Sequence, residues 1–384
     1  MHFEFATAAR IVFGPASRRE LAPFARSQGQ RALVLTGNNP ARSESLFVAL
    51  REQGIETMPF VVKSEPDTSL VRAGANQARA ERCAMVIAIG GGSVLDAGKA
   101  VAMLATNPGD VLDYLEVVGH GKTLTVPGLP FLAVPTTAGT GTEVTRNAVI
   151  ASPEHQVKAS LRSSLLLARL AVVDPELTLQ LPRALTASTG LDALTQLIEP
   201  YVSCRANPLV DGLCREGLVR AARSLEHACN VPDDLVARED MALASLFSGL
   251  ALANAGLGAV HGFAAPIGGR FCAAHGAVCA ALLPQVMETN IRALQRRQPN
   301  STALGRYTEI ARILTNRAQA SAADGVAWVR DLCRRLEIPA LGGYGIAPKD
   351  VPALCTAAAQ ASSMKGNPLP LLQEELETVL SRSL

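Results

Sequence analysis

Two of the chain's six histidines, His261 and His275, stand fourteen residues apart. Pro266 and Gly268-Gly269 lie between them and would turn the backbone back on itself. In Thr189-Gly190-Leu191-Asp192-Ala193-Leu194-Thr195-Gln196 the carboxylate Asp192 and the amide Gln196 are spaced i and i+4, so on a helix they share one face. Imidazole and carboxylate donors without thiolate suit zinc, iron or manganese. One reading is therefore a divalent-metal centre of Asp192, Gln196, His261 and His275. The other is a pair of core histidines whose ring nitrogens are satisfied by ordinary hydrogen bonds.

A second set of residues suits an anion. Gly90, Gly91, Gly92 and Ser93 follow the apolar run Met85–Ile89, with Asp96 and Lys99 on the next turns. Three glycines let the backbone approach a pyrophosphate closely, and the following helix offers unpaired N–H groups at its positive end. The same residues would also make a sharp strand-to-helix turn with no ligand, and the pattern is not G-x-G-x-x-G. Another loop, Pro135 to Asn147, carries the hydroxyls of Thr136, Thr137, Thr140, Thr142 and Thr145 among small residues. Each loop follows a strand, and loops at the carboxyl ends of parallel strands converge on the crevice where open α/β sheets bind ligands. Together they point to a nucleotide.

These loops need a sheet to hold them. Residues 3–14 alternate apolar and polar, as a β-ribbon would. Strands are predicted at Arg31–Thr36, Glu56–Val62, Met85–Ile89 and Phe131–Val134, with helices at Ser43–Gln53 and Thr68–Glu81 between them. Strands alternating with helices imply a mostly parallel, Rossmann-like sheet covered on both faces. After Val173 the texture becomes helical, broken by prolines such as Pro200, Pro232, Pro266 and Pro284. The chain is therefore expected to comprise an α/β dinucleotide-binding domain over 1–178 and an all-α metal and substrate domain over 179–384.

At 384 residues, 48% of them apolar and 18% charged, the chain supports two globular cores and argues against disorder. A formal charge of +2 without a dense Lys/Arg stripe disfavours nucleic acid as a partner. No C-x-x-C pair occurs among the eight cysteines, which read as small buried hydrophobes in a reducing compartment. The N-terminal segment has no basic region followed by an apolar run, so a cytoplasmic location is expected rather than secretion. Met241 to Gly269 contains no Asp, Glu, Lys or Arg and is long enough to span a bilayer. Its many Gly and Ala residues, with Ser248, Asn254 and His261, read instead as a helix buried within a helical domain, with no membrane partner.

The ordered motifs G-G-G-S-x-x-D-x-x-K, P-T-T-x-G-T-G-T-E-V-T, D-P-E-L-T, T-G-L-D-A-L-T-x-x-I-E-x-Y-V-S and V-H-x-x-A-x-P-I-G-G-x-F-x-x-x-H-G resemble those of the iron-containing (group III) alcohol dehydrogenases, from about residue 5 to beyond 290. That family includes maleylacetate reductases and is related to glycerol dehydrogenases. The resemblance implies a dehydroquinate synthase-like fold, an active site in the cleft between the halves, and a homodimer. It implies that NAD or NADP is held at Gly90, Gly91, Gly92, Ser93, Asp96, Lys99, Thr136, Thr137, Thr140, Thr145, Asn147 and Lys158, with Asp192, His261 and His275 on the metal. The implied reaction interconverts an alcohol and an aldehyde or ketone by hydride transfer to the nicotinamide. Asp96, His261 and His275 are then the catalytic candidates.

Three departures bear on this expectation. Gln196 stands where the family usually has a fourth histidine ligand, and a neutral amide oxygen is a weak substitute; zinc or iron is still expected on three protein ligands. Ala265 stands where many members have a histidine near the nicotinamide. After the first strand, Gly37 replaces the Asp that NAD-preferring relatives often carry there, with Arg42 nearby, so NADP is expected to be accepted. Three competing readings follow from the same residues: a metal-independent reductase of an oxo-acid resembling the maleylacetate reductases, a dehydroquinate synthase-like lyase, and a nucleotide-binding protein without turnover.

Overall fold

The computed structural model describes residues 2–155 and 157–384. The chain divides into two compact units near residue 180: Phe5–Thr137 with Gly141–Leu179, and Gln180–Leu384, with which residues 2–4 and Ala138–Thr140 are grouped.

The first unit is built on a parallel sheet of six strands: β1 (Ile11–Phe13), β2 (Arg31–Thr36), β3 (Glu56–Val61), β4 (Met85–Gly90), β5 (Phe131–Pro135) and, after a hairpin of β6 (Asn147–Ser152) and β7 (Val157–Arg162), β8 (Leu170–Val173). The order across the sheet is β1-β8-β5-β4-β2-β3, and every pairing is parallel. Every residue of β4 is buried, which is why the central strands read as unbroken apolar runs rather than alternating ones. On one face, Val34, Ile87, Ile89, Leu132, Val134 and Val172 pack with Leu21, Ala25, Leu46 and Leu50 from α1 (Leu21–Gln28) and α2 (Glu44–Glu52). A second core joins Val71 and Ala75 of α3 (Thr68–Ala80), Ala100 and Met103 of α4 (Gly92–Leu104) and Val111 of the single-turn α5 (Val111–Tyr114) to Ala148, Ile150 and Leu161 of the hairpin. Gly98 makes the α4 packing possible, because a Cβ there would lie 2.7 Å from Phe131 and 2.8 Å from Ala88.

The predicted ribbon over 3–14 shrinks to the three residues of β1, an edge strand paired only with β8. Alternation in the sequence signalled a half-buried segment there, but with no second antiparallel strand only the part in register with β8 forms a ladder. The β6–β7 hairpin, short and rich in Ala and Ser, and the four-residue apolar strand β8 were not among the predicted strands.

The second unit is helical: α6 (Arg183–Val202), α7 (Pro208–Asn230), α8 (Leu235–Ala255), α9 (Ala259–Arg270), α10 (His275–Arg297), α11 (Thr302–Thr315), α12 (Ala322–Arg335), α13 (Val351–Gln360) and α14 (Gln373–Ser381). The uncharged stretch expected as one buried helix is two, α8 and α9, bent by 98° across Gly256–Gly258. Among the described residues no single helix is long and apolar enough to cross a membrane. Helix α9 runs through Pro266 to Arg270, so the reversal between the two histidines is made by Phe271–Ala274 and not by Pro266 and the glycines.

Candidate functional site

The glycine turn sits where the sheet changes direction. From β2 the chain moves outward to β3, whereas from β4 it moves the opposite way to β5, so the carboxyl ends of β2 and β4 flank the switch point. This explains why the glycines follow a later strand than the first. Gly91 is the N-cap of α4, and the first amides of that helix have no side-chain cap, which leaves them available to an anion. Gly91, Gly92 and Ser93 are half-buried, as are Thr136 and Thr137 at the end of the neighbouring β5.

Other residues expected at the nucleotide hold the loop that follows. Lys99 is fully buried, and its ammonium donates to the Thr145 carbonyl at 2.8 Å, the Thr145 hydroxyl at 2.7 Å and the Asn147 carbonyl at 3.0 Å. All three of its donors are thereby taken, so Lys99 and Thr145 position the loop rather than reach outward. An Asp96 carboxylate oxygen accepts from the Val149 amide at 3.1 Å, and Lys158 pairs with Glu65. Burial pushes Lys99 down to about 8 and Glu143, also buried, up to about 7, each partly offset by the other's charge. Glu143 had no distinguishing signal beyond lying within the threonine-rich loop.

The second constellation draws on three helices. Asp192, Gln196 and Glu199 fall on one face of α6, His261 lies in the first turn of α9, and His275 opens α10. The His261 Nε2 lies 3.4 Å and the His275 Nε2 3.7 Å from the same Asp192 oxygen, Oδ1. Cys279, one turn after His275, places its Sγ 3.8 Å from His261 Nε2 and 3.7 Å from His275 Nε2. The four donor atoms lie within 4.8 Å of one another. Gly276 brings α10 this close to α6, since a Cβ there would stand 2.3 Å from the Ser188 carbonyl.

Glu199 fixes the orientation of His261. One carboxylate oxygen accepts from the Val260 amide at 2.7 Å and the other contacts His261 Nδ1 at 2.7 Å. A proton on Nδ1 leaves Nε2 with its lone pair toward Asp192 and Cys279. Gln196 turns its amide nitrogen to the Gly139 carbonyl at 3.2 Å, leaving its own oxygen buried without a hydrogen-bond partner. Asp192 Oδ1 is likewise buried and unpartnered. The Asp192 oxygen, without a hydrogen bond of its own and faced by two convergent imidazole nitrogens, has the surroundings a cation satisfies. Asp192, Gln196, Glu199, His261 and Cys279 are buried, whereas the His275 side chain is 42% exposed, so the cluster opens to solvent on that side.

The electrostatics are those of a site with surplus negative potential. Burial raises the Asp192 carboxyl, but the facing His275 and His261 draw it below the ordinary range. Burial lowers His261, and the surrounding Cys279, Asp192 and Glu199 more than reverse that. The Cys279 sulfur contributes most to lifting His275 to about 9. Sequence reading gathered Asp192, His261 and His275 but passed over Cys279 and Glu199. The signal for each was its helical offset, i+4 from His275 and i+7 from Asp192.

The iron-containing alcohol dehydrogenase profile matches residues 8–175, and the profile of that family's C-terminal domain matches residues 186–384. Long-chain-alcohol dehydrogenase 1 of Geobacillus thermodenitrificans is 36% identical over 97% of this chain and 95% of its own. The crystal structure of a 1,3-propanediol oxidoreductase superposes with a TM-score of 0.93 at 32% identity, covering 100% of both chains. Sulfoacetaldehyde reductase from Bifidobacterium kashiwanohense, solved in complex with NAD+, gives 0.86 at 27% identity over 99% of this chain and 98% of that one. With both halves matched in order, and with a parallel-sheet unit followed by a helical one, the chain belongs to the iron-containing alcohol dehydrogenase family.

Proposed function

We propose that this alcohol dehydrogenase interconverts a small alcohol and its aldehyde or ketone, with NAD(P) bound at the Gly90–Ser93 turn and a divalent metal at Asp192, His261 and His275. The observation that carries the metal is the buried Asp192 oxygen without a hydrogen-bond partner, faced by two imidazole nitrogens. The nicotinamide supplies the hydride acceptor and the metal supplies Lewis-acid polarisation of the substrate oxygen. The chain's own residues do the rest. The turn Gly90–Gly91–Gly92–Ser93 and the α4 amides receive the pyrophosphate, while Thr136, Thr137, Thr140 and Asn147 line the remainder of the nucleotide. Asp96, Lys99 and Thr145 hold the loop that carries these groups. Glu199 keeps the proton on His261 Nδ1, so the Nε2 lone pair stays available to the metal. With Ala265 one turn beyond His261, no imidazole follows on that face of α9 to carry a proton, and the exposed side of His275 gives water access to the site.

Gly37 after β2 leaves room for a 2′-phosphate, so both NAD and NADP serve. We place the enzyme as a homodimer in the cytoplasm, where its eight free thiols persist. The test is metal analysis of the purified protein with NAD(P)H oxidation on short aldehydes and oxo-acids. Near-stoichiometric metal, with activity lost to chelator and restored by metal, is expected. A metal-free protein with chelator-insensitive turnover of an oxo-acid would replace this reading with a metal-independent reductase.

A further inference from the structure

We propose that the Cys279 thiolate is the fourth protein ligand of this metal centre, in place of an imidazole at position 196, and that it makes the centre select zinc over iron(II). The proposal deepens the metal reading above and rests on it.

Four of the six distances within the donor set lie close to the edges of a coordination tetrahedron. Zinc bonds of about 2.0 Å to oxygen and nitrogen and about 2.3 Å to sulfur require tetrahedral edges of about 3.3 Å between N and O and about 3.5 Å between N and S. The observed edges are 3.4 and 3.7 Å for N to O, and 3.8 and 3.7 Å for N to S. A cysteine serving only as a small core hydrophobe has no reason to place its sulfur equidistant from two imidazole nitrogens. Cys279 is completely buried and does so.

The sequence compensates for its own departure. At position 196 the amide nitrogen is engaged by the Gly139 carbonyl, and what remains is a neutral oxygen. The strong fourth donor comes instead from α10, where Cys279 lies on the same helical face as His275. On metal binding the thiol proton leaves to solvent as the sulfur–metal bond forms, so a charged ligand replaces a neutral one. With one carboxylate, two imidazoles and one thiolate, softness and the Irving–Williams order both favour zinc over iron(II). The other seven cysteines are not part of the cluster.

Cobalt(II) loaded into metal-free protein reports on the site directly. One cobalt per chain with a near-ultraviolet thiolate-to-cobalt charge-transfer band is expected. The band should vanish in Cys279→Ser while the weaker visible ligand-field bands persist, and it should survive in Gln196→Ala. In anaerobic competition between equimolar zinc and iron(II), the wild type should take zinc, and Cys279→Ser should lose at least about tenfold of that preference. Cobalt bound without the charge-transfer band, or a band unchanged by Cys279→Ser, overturns the thiolate ligand and leaves the metal reading standing. No cobalt uptake by the wild type overturns both. Should Cys279→Ser fail to fold, X-ray absorption at the zinc edge of the wild type decides: one sulfur at about 2.3 Å supports the proposal, and a shell of only nitrogen and oxygen defeats it.

Discussion

The turn at Gly90–Ser93 and the cluster around Asp192 both offer polar groups to a charged ligand, but they take those groups from different parts of the chain. The turn uses backbone amides of consecutive residues, freed because a helix begins there and placed by the strand before it. The cluster uses side chains from α6, α9 and α10, which converge only because those helices pack tightly and Gly276 removes a clash. A site made of backbone depends on local geometry. One made of side chains depends on tertiary packing and on whatever orients each ring. The two should therefore fail independently and by different routes.

The sharpest way to break that contrast is to remove a ring. His261→Ala deletes a metal donor and takes from the buried Glu199 and Asp192 carboxylates the imidazole that both face. With Lewis-acid stabilisation worth several kcal/mol, kcat/KM should fall by about 10³-fold or more, with metal content near zero and NAD(P) affinity unchanged. If nucleotide binding collapsed with the metal, the sites would be one cooperative structure and the contrast would be wrong.

Lys99→Met tests the other unit from inside. It strips the Thr145 and Asn147 carbonyls of a buried donor while keeping most of the side-chain volume. A cost of about 3 kcal/mol in unfolding free energy is expected, together with weaker NAD(P) binding because the threonine loop loses its strut. Metal content should not change. Denaturant unfolding and nucleotide titration on the same preparation check both halves of this statement.

How far each region was legible in the sequence follows from the same contrast. The glycine turn was recognisable because it is a run of consecutive residues of one type after an apolar run, and Met85–Ile89 is almost the whole of β4. Lys99 was found by its motif but given the wrong direction: the spacing placed it on α4 without revealing that the Thr145–Asn147 loop lay within reach of its ammonium. In the helical unit, Asp192 and the two histidines stood out as rare types in an apolar setting. Cys279 did not, because one cysteine among eight carries no spacing signal until α10 is known to begin at His275. Nor was the break between α8 and α9 read from the sequence, although Gly256, at φ +72°, and Gly258 stand at it.

Gly91→Val sharpens the comparison on the nucleotide side. A Cβ at Gly91 would stand only 3.3 Å from the Thr137 side chain, and the larger valine also fills the space through which a phosphate approaches the α4 amides. NAD(P) Kd should rise about 100-fold, equivalent to about 2.7 kcal/mol, while zinc content and its spectroscopic signature stay as in the wild type. An equal loss of metal would mean that the turn supports more than its own ligand.

The smallest expected effect falls on a residue that touches no ligand. Glu199 spends its two oxygens separately, one on the Val260 amide and one on His261 Nδ1. In Glu199→Gln a single carbonyl oxygen cannot serve both donors, and the charge that favours the Nδ1 proton is gone. Loss of such a carboxylate–histidine–metal link lowers metal affinity by about tenfold, at the low end for partners of this kind because one acceptor remains. Zinc competition against a chelator measures it, and Glu199→Asp serves as the control that keeps the charge but shortens the reach. If Glu199→Gln left zinc affinity unchanged and lowered only the melting temperature, Glu199 would be an anchor for the start of α9 rather than the group that aims His261. The orientation of that ring would then be fixed by the packing of the helix alone.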